Sequence, residues 1–318
     1  MTTNNTVTAI AGIKVGHYTD LEGITGCTVI LCPPGTVGAV DVRGGAPGTR
    51  ETDVLAPTNY VSEVNAVVLA GGSAYGLGTV DGVMRFCKEQ EIGFIVAPDL
   101  RVPIVPAAIL FDLTIGDPNV FPTADDAYKA CQLASDLPVE QGSVGAGTGA
   151  RIGSIQGNEY AFKGGIGSAC IDLGDGLKVA AIAVVNPVGD VIDEQGAILA
   201  GMGSEGHFFG MVNIMKNMAQ IDLGLASSNT VIGCVVTNAI LTKTEARKIA
   251  EIAHDGLARA INPAHTLLDG DTIFCLATGE IKANSISIGT FAAEAFSQAI
   301  RNGVRNAVSL AEVRAFNN

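Results

Sequence analysis

Short runs of Val, Ile and Ala recur along the chain, separated by helical patterns and glycine-rich turns. Apolar runs of about four to eight residues between turn residues are typical of strands buried on both faces. Strands that alternate with helices indicate an α/β or α+β protein with covered sheets. The predicted strands are residues 28–31, 37–42, 66–70, 92–97, 179–185, 231–237 and 272–277.

The clearest helical pattern covers residues 243–261. Thr242 can cap its first turn while the side chain of Glu245 reaches back, which forms a capping box. The preceding apolar run and this helix predict a strand–turn–helix unit, and residues 75–90 and 124–137 are also predicted as helices. The apolar positions that form one face of the first helix are Ala246, Ile249, Ala250, Ala253, Leu257 and Ala260.

Composition excludes several classes of partner. The chain has 318 residues, of which 47% are apolar and 16% charged, so it can bury a large core as one large domain or two modest ones. A net charge of -13 without any Lys/Arg cluster argues against nucleic acid and anionic membranes as partners. Without a signal peptide or a membrane-spanning apolar stretch, the predicted location is cytoplasmic.

Neither a metal nor a cofactor is predicted. The seven cysteines are scattered without a C-x-x-C pair, and the four histidines lack the spacing of metal ligands. We therefore expect reduced structural thiols. Residues 145–150 match the dinucleotide fingerprint G-x-G-x-x-A, but further glycines follow where that fingerprint requires a helix. This segment is expected to form an extended turn or the wall of a pocket.

The usual nucleophile motifs are missing from the sequence. It contains no G-x-S-x-G elbow, H-E-x-x-H or Walker loop, and its histidines have no obvious serine partner. An N-terminal Ser or Thr needs no histidine, because its own α-amine serves as the base. That amine titrates near ~7.7–8.0, whereas a lysine titrates near ~10.4. Thr230, in the polar stretch 227–230 before a predicted strand, fits this role if the bond after Asn229 is cleaved.

A set of motifs runs in order across nearly the whole chain. It resembles the family of L-aminopeptidase/D-esterases, β-peptidyl aminopeptidases and nylon-oligomer hydrolases. The Asn-Thr junction and the Asp-Gly-Asp motif are closer to the nylon-oligomer branch than to the aminopeptidase branch, which has Gly-Ser and Ser-x-Glu there. The motifs are I-K-V-G-H at 13–17, G-G-S-A-Y-G-L at 71–77, G-A-G-T-G at 145–149, K-G-G-I-G at 163–167, V-N-P-V-G-D at 185–190, N-T-V-I-G-C-V-V-T-N-A at 229–239, H-D-G-L-A-R-A at 254–260, P-A-H-T at 263–266 and D-G-D-T-I-F at 269–274.

The resemblance implies an α+β fold, a four-layer α-β-β-α sandwich shared with ornithine acetyltransferases. It implies a precursor that cleaves itself into an α chain, 1–229, and a β chain, 230–318, within one compact unit. A homotetramer of such α/β heterodimers is the implied assembly. By the same resemblance, the site residues are the nucleophile Thr230, the neighbouring carboxylates of Asp269 and Asp271, the oxyanion or positioning amide of Asn186, and the active-site lysine Lys163.

Each of these assignments has an ordinary structural alternative. Asp269 and Asp271 flank a glycine and could point the same way, ~7 Å apart, or form a simple Asp-Gly turn. Asn186 could form an Asn-Pro turn, and Lys163 could be a solvated surface lysine. Thr230 could merely open a strand.

The pocket assignments are less specific. Tyr75 is expected either to line the substrate pocket or to pack on the core at the start of a helix. His254 and His265 are expected to serve structure.

The predicted function is amide hydrolysis by a self-processing enzyme with an N-terminal threonine and no cofactor. By resemblance, the substrate is a small amide or peptide, with 6-aminohexanoate oligomers as the specific expectation. One alternative is an aminopeptidase or esterase that acts on short or β-amino-acid peptides. Others are an acyltransferase like the ornithine enzymes and an uncleaved small-ligand binding protein.

Overall fold

Two five-stranded sheets form the centre of the computed structural model, which describes residues 4–204, 206–219 and 229–317. The α-helices in these ranges are α1 (Thr79–Glu89), α2 (Ala124–Leu133), α3 (Met211–Asn217), α4 (Lys243–Ala260) and α5 (Ser285–Arg305). The strands are β1 (Lys14–Asp20), β2 (Thr25–Leu31), β3 (Val37–Val42), β4 (Thr49–Arg50), β5 (Ala66–Ala70), β6 (Phe94–Ala97), β7 (Leu100–Val102), β8 (Ala107–Ile109), β9 (Arg151–Ile152), β10 (Phe162–Lys163), β11 (Gly165–Asp172), β12 (Lys178–Asn186), β13 (Asp190–Ile192), β14 (Ile198–Ala200), β15 (Gly203–Ser204), β16 (His207–Phe208), β17 (Thr230–Ala239), β18 (Ile261–Asn262) and β19 (Thr272–Ile281).

The strand order places β17 in the middle of its sheet. One sheet has the order β1-β2-β5-β8-β4, and the other has the order β11-β12-β17-β19-β3. Within the second sheet, β17 pairs antiparallel with β12 and parallel with β19. Every residue of β17 is buried, because this strand has neighbours on both edges and packing on both faces.

The two sheets pack face to face and each is covered by helices, which makes the predicted α-β-β-α sandwich. Ile30 and Leu69 of the first sheet share a buried cluster with Ile182, Ile232 and Phe274 of the second. Helices α1 and α2 bury the outer face of the first sheet, and α4 and α5 bury that of the second. Across the described ranges, each helix is too short or too polar to cross a membrane.

Helix α4 follows the sequence prediction closely. The N–H of Glu245 donates to Thr242 Oγ1 at 3.2 Å, and the N–H of Thr242 donates to Glu245 Oε2 at 2.9 Å, so the capping box is present. Its six predicted apolar positions are all buried. The other two helices are shorter than predicted: residues 73–78 form a 3-10 helix before α1, and α2 ends at Leu133.

One predicted strand lies outside both central sheets. Of residues 92–97, only Phe94–Ala97 are extended, and they form a separate two-stranded sheet with β7. Ile95 and Val96 are 59% and 57% exposed. The apolar run is therefore a surface hairpin, because its pairing partner is the segment that follows it rather than a core strand. The sandwich is completed by elements that the sequence patterns did not predict, namely strands β1, β4, β8 and β11 and helix α5.

A glycine controls the contact between α4 and α5. A Cβ at Gly256 would overlap the carbonyl oxygen of Ala293 on α5, which explains a helix-interior glycine that normally costs about 1 kcal/mol relative to Ala.

We expect Gly256→Ala to lower the free energy of unfolding by about 1–3 kcal/mol in urea denaturation, because the helices must separate. Gly289→Ala is the matched control, since its methyl group meets only the flexible end of Ile252. Equal stability of the two variants would contradict this packing argument.

Candidate active site

The candidate nucleophile lies where three segments meet at one end of the second sheet. Thr230 is the first residue of β17 and pairs with Asn186, the last residue of the antiparallel strand β12. Because β17 and β19 run parallel, the residues before β19 reach the same end of the sheet. The structure thus brings Thr230, Asn186, Asp269 and Asp271 together. Residues 227 and 228 of the predicted polar stretch lie outside the described ranges.

The hydroxyl of Thr230 contacts the peptide group that precedes it. It donates to the carbonyl oxygen of Asn229 and accepts from the backbone N–H of Gly270 at 3.2 Å. The same N–H also points at the Asn229 oxygen, at 2.9 Å. A Cβ at Gly270 would lie 2.9 Å from Thr230 Oγ1 and 2.6 Å from the carbonyl oxygen of Ala46. Only glycine therefore leaves room for this arrangement.

Asp271 is anchored directly beside the start of β17. Its Oδ1 accepts from the backbone N–H of Val231 at 2.8 Å. Its Oδ2 accepts from Nδ1 of His265 at 2.7 Å and from the backbone N–H of His265 at 3.2 Å. The carboxylate consequently lies beside the residue that follows Thr230, with its orientation set from both sides.

Asp269 is held by a different set of donors. Its Oδ1 accepts from the N–H of Val188 at 3.1 Å, and its Oδ2 accepts from the N–H and hydroxyl of Thr266 at 3.0 and 2.5 Å. Burial raises the pKa of Asp269 to about 6, and the negative charge of Asp271 also raises it. The two carboxylates therefore have distinct surroundings. Asp269 also closes a turn, because its N–H donates to the carbonyl oxygen of Thr266 at 3.1 Å, and the catalytic role of both aspartates stays a prediction.

Asn186 is fixed by contacts of its own amide. Its Oδ1 accepts from the backbone N–H of Arg151 at 2.8 Å, and its Nδ2 donates to the carbonyl oxygen of Phe111 at 3.5 Å. These contacts fix the orientation of the side-chain amide, while the backbone of Asn186 pairs with that of Thr230. The side chain is buried, and its role as an oxyanion or positioning amide stays a prediction.

Lys163 is fully buried, which excludes the alternative of a solvated surface lysine. Its Nζ donates to the carbonyl oxygens of Gly147, Thr148 and Ala150 at 3.4, 2.9 and 2.6 Å. Residues 145–150 thus form the expected turn, and its carbonyl groups receive the amine. Burial and, to a smaller extent, the positive charge of Arg151 lower the pKa of Lys163 to about 7. These contacts hold the amine at the glycine turn.

Two buried charges next to this turn were missed by the sequence analysis. Asp112 accepts from the N–H of Gly72 at 2.6 Å and the hydroxyl of Thr25 at 2.7 Å, and burial raises its pKa. Burial lowers the pKa of Arg151 to about 10, while the charge of Asp112 opposes that shift. Asp112 was detectable, because it follows an apolar strand just as Asn186 does. Arg151 lies in a glycine-rich segment that has no periodic signal.

Tyr75 and His265 differ in how they relate to the site. Tyr75 is 63% exposed and stacks on Phe121, with ring centroids 4.7 Å apart. Its substrate-binding role stays a prediction. His265 was expected to serve structure, and its Nδ1 contacts Asp271. Its spacing of six residues before Asp271 gave no sequence signal for that contact.

The model of peptidase family S58 matches residues 5–316 of the chain. The chain belongs to peptidase family S58. This assignment confirms the resemblance drawn from the ordered motifs. Together with the names of its relatives, it identifies the S58 chain as a peptide or amide hydrolase.

Two relatives and one solved structure cover most of the S58 chain. It is similar to an uncharacterized aminopeptidase of Mycobacterium leprae, with 47% identity over 88% of this chain and 80% of the relative. It is also similar to a 6-aminohexanoate-oligomer endohydrolase of Kocuria sp. (strain KY2), with 30% identity over 91% of this chain and 83% of the relative. The L-aminopeptidase D-Ala-esterase/amidase of Ochrobactrum anthropi, described as a variant Ntn hydrolase fold, matches with a TM-score of 0.70 at 20% identity, covering 96% of this chain and 86% of that one.

The buried amine of Lys163 predicts a specific pH dependence of stability. Its pKa falls from 10.5 to about 7 on folding, so the unfolded chain binds the extra proton between these values. Stability contributed by this group therefore rises with pH from about 7 towards 10. We expect urea denaturation at pH 7, 8 and 9 to show a steeper rise for the parent than for Lys163→Met. Lys248→Met, at an exposed lysine of α4, is the control and should keep the parent's slope.

Proposed function

We propose that this S58 hydrolase cleaves its own chain between Asn229 and Thr230 and then uses Thr230 as an N-terminal nucleophile. The products are an α chain, 1–229, and a β chain, 230–318, that remain associated. The observation that carries the proposal is the contact of the Thr230 hydroxyl with the Asn229 carbonyl, beside the Gly270 N–H. A nucleophile, its electrophile and a hydrogen-bond donor are thereby adjacent in the uncleaved chain.

Maturation is an acyl shift followed by hydrolysis. The Thr230 hydroxyl loses its proton and attacks the carbonyl carbon of Asn229, which places negative charge on the carbonyl oxygen. The Gly270 N–H, 2.9 Å from that oxygen, stabilises this charge. The carbon–nitrogen bond then breaks, the nitrogen of Thr230 takes up the proton, and an ester remains. Water cleaves the ester, which frees the Asn229 carboxyl group and restores the hydroxyl.

Turnover repeats this chemistry on a bound amide. The α-amine of cleaved Thr230, with a typical pKa of ~7.7–8.0, takes the proton of the hydroxyl as the hydroxyl attacks the substrate carbonyl. The leaving amine takes up that proton, and water then hydrolyses the acyl-enzyme. The amide of Asn186 is a candidate oxyanion donor, and Asp271 and Asp269 supply negative charge for the ammonium that forms.

The substrate proposal is an amide of an ω-amino acid, of the 6-aminohexanoate type. It is supported by the similarity to the Kocuria endohydrolase and by the Asn-Thr junction. The second candidate is an aminopeptidase activity, which is favoured by the higher identity to the relative of Mycobacterium leprae. Hydrolysis rates of 6-aminohexanoate oligomers, β-amino-acid amides and α-amino-acid amides, measured on one enzyme preparation, distinguish these proposals.

Replacement of the nucleophile tests the cleavage site. Thr230→Ala removes the hydroxyl, so we expect one full-length band on a denaturing gel and no amide hydrolysis. Thr230→Ser keeps a hydroxyl and should still cleave. Thr237→Ala is the control, because it removes another buried hydroxyl from the same strand without touching the junction. Two fragments from Thr230→Ala would refute cleavage at this position.

The space at Gly270 gives a second test. In Gly270→Ala, the added methyl group would displace the Thr230 hydroxyl and the backbone of Ala46. Displacement of reacting groups by about 1 Å can cost about a hundredfold in rate, so we expect self-cleavage to slow by at least tenfold. The time course on a gel measures this. Gly78→Ala, where a Cβ meets open space, is the control. Cleavage of folded Gly270→Ala at the parental rate would contradict the proposed oxyanion donor.

A further inference from the structure

His265 gives two hydrogen bonds to one oxygen of Asp271. Its Nδ1 lies 2.7 Å from Oδ2, and its backbone nitrogen lies 3.2 Å from the same atom. An ionised carboxylate oxygen can only accept, so Nδ1 must carry the hydrogen. The side chain is only 22% exposed, which strengthens a hydrogen bond to a charged group.

The opposite oxygen of Asp271 faces the junction. It accepts from the N–H of Val231, one residue after Thr230. The carboxylate is therefore held between the start of β17 and the imidazole of His265. Without that imidazole, the carboxylate loses one of the donors that fix its rotation.

The backbone and ring contacts of His265 fix the position of its side chain. Its φ is 54°, in the left-handed region, where Asn, Asp and His are the most frequent residues after Gly. The ring packs edge to face on the buried His254, with centroids 4.8 Å apart. The ring is thus held in place by a neighbour while its Nδ1 is directed at Asp271.

The other ionisable groups packed around the ring of His265 come from α4 and β3. From α4, His254 faces the ring, but burial lowers the pKa of His254 to about 4, so it is neutral near pH 7. From β3, Asp41 contacts His254 and is paired with Arg43 at 2.7 Å and with Arg247. Asp41 is therefore paired with cations of its own, and Asp271 is the carboxylate to which the ring of His265 is hydrogen-bonded.

We propose that His265 is a positioning residue for Asp271. It keeps that carboxylate directed at the start of β17, where the carboxylate stabilises the ammonium that forms on Thr230 when the hydroxyl gives up its proton. In this arrangement Asp271 corresponds to the aspartate of a catalytic triad, which orients the base and balances its positive charge, and His265 holds Asp271 in place. The inference rests on the proposed function of Thr230.

Two substitutions separate the hydrogen bond from the backbone conformation. Asn and Gly both tolerate the left-handed φ, but only Asn keeps an N–H donor near the position of Nδ1. We expect His265→Gly to lower kcat about tenfold to hundredfold, as for loss of a hydrogen bond to a charged group, and to leave KM within about twofold. The acid limb of its pH–kcat profile reports the Thr230 α-amine that serves as the base, and it should move to lower pH, because a misplaced Asp271 no longer stabilises the ammonium form. His265→Asn should stay within about threefold of the parent and keep the parent's acid limb.

Activity is expressed per cleaved chain, with the cleaved fraction measured on gels and folding checked by circular dichroism. If His265→Gly does not cleave itself and His265→Asn does, the result supports a positioning role of His265 already during self-cleavage. If His265→Gly does not fold, His265→Ala takes its place in the comparison. A parent enzyme that neither cleaves nor hydrolyses amides overturns the proposed function and this inference with it. An active parent whose Gly and Asn variants have equal kcat and equal pH profiles overturns this inference alone.

Discussion

The parallel pairing of β17 with β19 is the constraint on which the candidate site depends. Parallel neighbours start at the same end of a sheet, so the segment before β19 must lie beside the first residue of β17. The antiparallel partner β12 ends at that point and adds Asn186. A shift of either register by one residue would turn the Thr230 side chain to the opposite face. The hydrogen-bonded pairing of β17 with β12 and β19 therefore sets where the site residues meet.

The ionisable groups near this end are buried, and each is compensated locally. Carbonyl oxygens of the glycine turn receive the amine of Lys163, and backbone N–H groups hold both oxygens of Asp269. Such dipoles offset part of the cost of burying charge, while burial still shifts the pKa of both groups towards neutrality. Groups that can gain or lose a proton near pH 7 are what acid–base chemistry requires.

The elements that could be predicted from the sequence are those with strong local signals. The capping box at Thr242, the apolar face of α4 and the buried strand after Thr230 are encoded within short windows, and the structure contains all three. The meeting of Thr230 with Asp269 and Asp271 was predicted only through resemblance to a family, because it depends on strand pairing across about forty residues. Sequence periodicity does not encode that pairing.

Other parts of the site had no local signal at all. The burial of Lys163 depends on packing by segments remote in sequence, and nothing in its own neighbourhood distinguishes it from a surface lysine. The contact of His265 with Asp271 depends on the path of one short loop. For Phe94–Ala97 the error was in the other direction. Its apolar residues predicted a buried core strand, but this segment pairs with the strand that follows it in a surface hairpin.

The order of the second sheet has a consequence for what a cut after residue 229 would produce. Strands β17 and β19 lie between β12 on one side and β3 on the other, and both of those come from the earlier part of the chain. The two pieces would be interleaved, each holding strands that complete the sheet of the other. To separate the two pieces, the hydrogen bonds between β17 and β12 and those between β19 and β3 would have to break together. Such a nick would free a new terminus at the buried end of a central strand while leaving the assembly mechanically intact.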